Sequence, residues 1–118
     1  MIIEEEANMP KGKTYKVDYE KIEIPSDKDY QDFDVNERRA YLLERIKEKG
    51  TSQLVGRTDN ANRFNTSPSV ITQDILEGIA QSLAINKGEE IIEENYIDLQ
   101  LKDRIRFYLK VRRDEEKK

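Results

Sequence analysis

Apolar residues fall at helical spacing in two stretches of the chain. In "VNERRAYLLERIKEK", residues 35–49, Leu42, Leu43 and Ile46 form one stripe that Val35 and Tyr41 can extend. That spacing predicts a helix. Asp34 stands before it as an N-cap and Glu37 follows three residues later, the form of a capping box. Gly50 is the matching C-terminal stop. In "PSVITQDILEGIAQSLA", residues 68–84, Ile71, Ile75, Ile79 and Leu83 recur every four positions, and Leu76 and Ala80 widen the stripe. Ser67 is the expected cap, and Pro68 takes the first helical position, where its missing N–H costs nothing. Gly78 either weakens this helix by about 1 kcal/mol relative to Ala or admits a close contact. "NKG" at 86–88 ends it.

Between these helices the pattern shortens. Residues 51–58, "TSQLVGRT", read as a connector in which Gln53 and Leu54 start a short turn, Gly56 breaks it and Thr58 caps the next helix. "DNANRF", residues 59–64, predicts that short helix, with small Ala61 on its packing side and Phe64 as its one large apolar anchor. Asn65 is next best to Gly for a left-handed backbone.

Residues 89–113 carry two periods at once. Ile97, Leu99, Leu101, Ile105, Phe107, Leu109 and Val111 share one parity, a strand signal with a hairpin turning near 102–104. Ile97, Leu101, Ile105 and Leu109 also recur at spacing four, a helix signal, and no Pro or Gly interrupts the run. "KDR" is a poor hairpin turn, which tips the balance to helix. Residues 1–34 alternate weakly and hold Pro10, Gly12 and Pro25; they read as an extended or partly disordered arm. The expected organisation is an arm over 1–34, a helical domain over 35–88 and a C-terminal segment over 89–118.

Composition narrows the chemistry. The 118 residues include 39% charged and 36% hydrophobic ones, with no Cys and no His. Disulfides, thiol catalysis, Cys/His zinc sites and His-based catalysis are excluded by inventory. No Gly-rich phosphate loop is present, and the carboxylates Glu89, Glu90, Glu93 and Glu94 read as a solvated face before a metal site. A non-enzymatic, intracellular, cytoplasmic protein without cofactor, metal or membrane span is therefore expected. The net charge of −4 is unevenly placed. Residues 1–34 hold ten acids and five bases, 35–88 six acids and eight bases, and 89–118 nine acids and eight bases. Only the middle third is basic, and local sign matters most for a phosphate-facing surface.

A helix-turn-helix needs a short helix with a small packing residue, a turn with a left-handed residue, and a capped second helix that buries one stripe. Ala61, Asn65, Ser67-Pro68 and the Ile71/Ile75 stripe meet these demands in order, and helix 35–49 supplies the third member. The stretch "DNANRFNTSPSVITQDI" over 59–75 resembles the Arg-repressor and DeoR-type helix-turn-helix, and also small archaeal viral and plasmid regulators. "ERRAYLLERIKEKG" resembles the first helix of the same archaeal proteins, and small viral terminase subunits are more distantly similar. In the resemblance Ala61 is the small position, Phe64 the aromatic anchor, Ser67 the cap and Asp74 the acid before the second isoleucine. Asn60, Asn65, Thr66 and Gln73 stand where that pattern has leucine, glycine, valine and arginine.

The expected fold is all-α: a tri-helical helix-turn-helix with an acidic N-terminal arm and a C-terminal helix, or alternatively a winged helix with a C-terminal β-hairpin. The expected partner is double-stranded DNA, bound by a homodimer or higher homo-oligomer acting in transcription. The resemblance implies that the start of the second helix enters the major groove. Pro68, Ser69, Val70 and Gln73 would then face base edges, with Gln pairing adenine and Val70 meeting a thymine methyl. Ser67, Ser69 and Thr72 would donate to phosphates near the helix start. Arg57 and Arg63, with Arg38, Arg39 and Lys87, would supply phosphate charge from the flanks. "RIRFYLKVRR", 104–113, would pair two copies or contact nucleic acid. A DNA-packaging or replication accessory and a protein-interaction adaptor are the alternative roles.

Overall fold

The computed structural model describes residues 15–54 and 56–116. Its regular elements are all helical, and no strand occurs among the described residues. Four α-helices follow in order: α1 Val35–Lys49, α2 Arg57–Arg63, α3 Pro68–Lys87 and α4 Leu101–Glu116. Short 3-10 turns lie at Tyr19–Lys21, Tyr30–Asp32 and Gly50–Leu54, and a π-helical turn at Ile92–Tyr96.

Local chemistry sets most of the boundaries. Asp34 and Glu37 form the reciprocal capping box, each side chain accepting the other's backbone N–H at 2.8 and 2.9 Å. α1 ends at Gly50 with φ 62°, and α3 ends at Gly88 with φ 96°. Ser67 caps α3, with Pro68 in its first turn. The expected cap at Thr58 is displaced: α2 starts two residues earlier, after Gly56, and Thr58 lies within its first turn.

The core is a contact of α1 with α3, sealed by α4. Leu42, Leu43 and Ile46 of α1 meet Ile71, Ile75 and Ile79 of α3, all almost wholly buried. Each such side chain contributes roughly 1.5–3 kcal/mol of apolar burial. A Cβ placed on Gly78 would lie 3.3 Å from Leu43 Cγ. The glycine thus sits at a close approach of the two helices, the second of its two expected roles. Ile105 and Tyr108 of α4 complete the core.

Two points of the sequence reading are refined. The described part of the arm is packed: Tyr19 and Phe33 are buried, and the backbone N–H groups of Lys16 and Val17 donate to Gln81 Oε1 of α3 at 2.9 and 3.1 Å. Extended backbone there satisfies its polar groups against a helix side chain instead of water. Residues 1–14 lie outside the described residues. In the C-terminal third the expected helix forms and the alternative β-hairpin wing does not. The chain bends at 97–100, not at 102–104, and Ile97 drops out of the spacing-four stripe to become exposed. Arg104 holds the bend by donating to the Ile97 and Leu99 carbonyls at 2.7 Å each, its guanidinium 4.8 Å from the Tyr96 ring centre.

Candidate nucleic-acid interface

The turn between α2 and α3 is built from main-chain geometry. Phe64 ends α2, and Asn65 follows at φ 57°, the one non-glycine with positive φ among the described residues. The Asn65 N–H donates to the Asn62 carbonyl at 3.2 Å, and the Thr66 N–H to the Ala61 carbonyl at 2.8 Å. That pair of bonds is a Schellman motif with asparagine in the place glycine usually takes. Ala61 and Phe64 are buried beside it. α3 therefore leaves the turn with its apolar stripe inward and its first turns outward.

Those first turns gather most of the expected contact residues. Ser67, Ser69 and Gln73 are exposed, while Val70 and Thr72 are half-buried. Ser67 Oγ accepts the Val70 N–H at 3.4 Å, so the cap is partly used within the helix. Thr72 Oγ1 donates to the Pro68 carbonyl at 3.1 Å and accepts from Arg57 Nη1 at 2.7 Å. Arg57, Thr58, Pro68, Ser69 and Thr72 line a shallow concavity of about 340 Å³. Thr58 is a contact candidate that sequence reasoning misses, because a threonine after Gly56 reads as a cap; the two-residue shift of α2 turns it into this surface.

The other cations are engaged elsewhere. Asp74, next to Gln73, is 1% exposed and receives Arg38 and Arg39 of α1. Arg38 Nε donates to Asp74 Oδ2, and Arg39 Nε to Oδ1 at 3.0 Å. Arg39 also donates to the Tyr19 hydroxyl at 2.9 Å. Partial burial disfavours the charge on Arg39, but its bonds to Asp74 and Tyr19 outweigh this and raise its pKa. Arg63 donates to buried Asn60 Oδ1, which explains how a polar residue sits where the resembled pattern has leucine. Its guanidinium also lies over Tyr30 and Tyr41, 5.5 and 5.9 Å from their ring centres. Lys87 is at the far end of α3, about 30 Å from Ser67 at the rise of a helix, and pairs with Glu115 of α4.

The arrangement thus brings together Arg57, Ser67, Ser69, Val70, Thr72 and Gln73, with Arg63 behind the turn. It separates Lys87 from them and ties Arg38 and Arg39 to Asp74. Glu89, Glu90, Glu93 and Glu94 are exposed, and no acidic cluster among the described residues is disposed to hold a metal ion. No helix among them is long and apolar enough to cross a membrane. No family model, curated protein or solved structure matches the chain.

Proposed function

We propose that this chain binds double-stranded DNA through a helix-turn-helix formed by α2 and α3 on α1, acting as a homodimeric transcriptional regulator. The observation that carries the reading is the Asn65 turn. It delivers a Ser67-capped, Pro68-started helix whose Ser69 shares a concavity with Arg57 and whose Gln73 is exposed, with the Ile71/Ile75 stripe fully buried. A helix start of this kind offers N–H groups and a partial positive charge to phosphate, and an exposed glutamine to an adenine edge.

A second reading has its own support. Asp74 engages Arg38 and Arg39, leaving Arg57 and Arg63 as the cations nearest the turn. Two phosphate contacts would give a salt slope of only about −1.8 per subunit, at roughly −0.9 for each contact. So low a charge also suits a protein-interaction adaptor on the same helices. Selection of bound sequences from random DNA, with solution mass measured alongside, separates these roles. A regulator enriches a two-fold site and runs as a dimer. A ring of many copies would favour a packaging or replication accessory. Failure to enrich any sequence would overturn DNA reading in favour of the adaptor.

A further inference from the structure

A cavity of about 430 Å³ opens at the other end of α3, between that helix, α4 and the Tyr19–Lys21 turn of the arm. Its size suits a small organic ligand. Ser82 lines it, is 1% exposed, and is the residue whose buried hydroxyl has no hydrogen-bond partner among the described residues. A buried hydroxyl without a partner costs on the order of 1–3 kcal/mol, which a ligand oxygen would relieve. Leu83, Tyr108 and Val111 give the remaining wall its apolar body.

The charges around the mouth sort by partner. The acids of the arm are engaged internally: Asp18 Oδ1 accepts the Glu20 N–H at 3.2 Å, and Glu20 receives the Tyr108 hydroxyl at 2.5 Å as well as Arg112. Lys21 makes no ion pair among the described residues. Lys87 and Arg112 pair with Glu115 and Glu116, exposed carboxylates of the last turn of α4. An incoming carboxylate can replace those two side chains without uncovering a buried charge.

We propose that this cavity binds a small organic carboxylate with a second polar oxygen. The carboxylate lies among Lys21, Lys87 and Arg112, and the second oxygen bonds Ser82. The same turn that supplies Lys21 carries Tyr19, which bonds Arg39, which bonds Asp74 beside Gln73. Occupancy at one end of α3 is thereby coupled to the contact face at the other, a consequence that rests on the DNA reading.

The test titrates the full chain by amide NMR with 6-hydroxyhexanoate, hexanoate and 6-hydroxyhexanamide. Saturable shifts are expected around 18–21, 82–87 and 108–116, weakest for the amide. Ser82→Ala should weaken 6-hydroxyhexanoate about three- to tenfold, the value of one hydrogen bond, and leave hexanoate unchanged. Lys21→Gln should weaken both acids and not the amide. Equal binding of acid and amide, shifts elsewhere, or no saturation up to the probe's solubility would overturn the site. The Kd for a selected DNA duplex, read by anisotropy, should change about fivefold or more with the ligand, and Tyr19→Phe should abolish that change while ligand binding persists. Persistence of the coupling in Tyr19→Phe would overturn the relay. Ligand binding without any DNA binding would instead overturn the DNA reading and leave the cavity standing.

Discussion

The two ends of α3 are parts of one 20-residue helix in opposite surroundings. From Ser67 to Gln73 only Ile71 is buried; from Gly78 to Ala84 every residue is. A helix apolar on one side shows water its other side, whereas one enclosed all round serves as a spine. The first end carries Ser69, Thr72 and Gln73 outward. The second is covered by the arm through Gln81, by α4 through Tyr108, and by Tyr96, whose hydroxyl donates to the Leu76 carbonyl at 3.3 Å. One end is therefore positioned by the other, and Asp74 is the joint between them.

The largest effect is expected at that joint. Asp74→Ala leaves Arg38 and Arg39 facing a hole where two charges were neutralised. Breaking a buried ion pair by removing one partner costs several kcal/mol. Here both guanidinium groups keep some water, with side chains 16 and 19% exposed, which places the loss at about 3 kcal/mol. Urea unfolding should show a lower midpoint at unchanged slope. A loss under about 1 kcal/mol would mean that the arginines swing out to solvent and that the joint holds nothing.

Gly78→Val tests the enclosed end. Its side chain would enter the space of Leu43, already 3.3 Å from a bare Cβ. Overpacking of this kind costs roughly 2 kcal/mol, seen again as a lower urea midpoint. A stabilised variant would show that α1 and α3 can part without penalty, against the spine reading.

Alkaline pH probes the same end more gently. Burial pushes the Tyr96 phenol up to about 12, with Arg104 opposing the shift, and pushes Tyr108 up as well, helped by Glu20. The neutral phenol is the protonated form. A folded pKa above the unfolded value near 10 gives stability that is complete below about pH 10. That stability is lost as pH climbs through the folded value. For Tyr96 the loss between about pH 10 and 12 is on the order of 2 kcal/mol. Tyr96→Phe should make the fall shallower and leave the rest that belongs to Tyr108. An unchanged pH profile would place Tyr96 in contact with water.

How far these features are legible in the sequence depends on the range of the forces involved. The Asp34 cap, the Gly50 and Gly88 stops, the Asn65 turn and the Ser67-Pro68 start all depend on residues within a few positions. Backbone sterics and capping fix them locally. The Arg38 and Arg39 bonds span 36 and 35 residues to Asp74, and nothing local announces them. The clue is an acid set between Ile71 and Ile75 on a buried stripe, where an unpaired carboxylate would be untenable. The arm misleads for a related reason. Its acidic composition suggests solvent, while its Tyr19 and Phe33 are anchored by partners far along the chain. The ambiguous run 89–113 has two periods because a π-helical turn and a bend at 97–100 separate it into pieces. The residue holding that bend, Arg104, lies beyond it.

The smallest effect on folding, and the sharpest division of the helix, is expected at Gln73. It is adjacent to Asp74 yet exposed, so Gln73→Ala removes no core contact and should leave the stability within about 0.5 kcal/mol, as surface substitutions usually do. If the open end reads bases, the same change removes a bidentate partner for adenine. Discrimination at one base pair of a selected site should then fall by about 1–3 kcal/mol, while binding to mismatched DNA and its salt slope stay put. Arg63→Ala would behave oppositely, weakening all sequences alike as a phosphate contact does. Neighbouring residues would then divide cleanly, Asp74 governing stability and Gln73 recognition. Unchanged preference in Gln73→Ala, with the fold intact, would leave the open end of α3 exposed for a partner other than a DNA base.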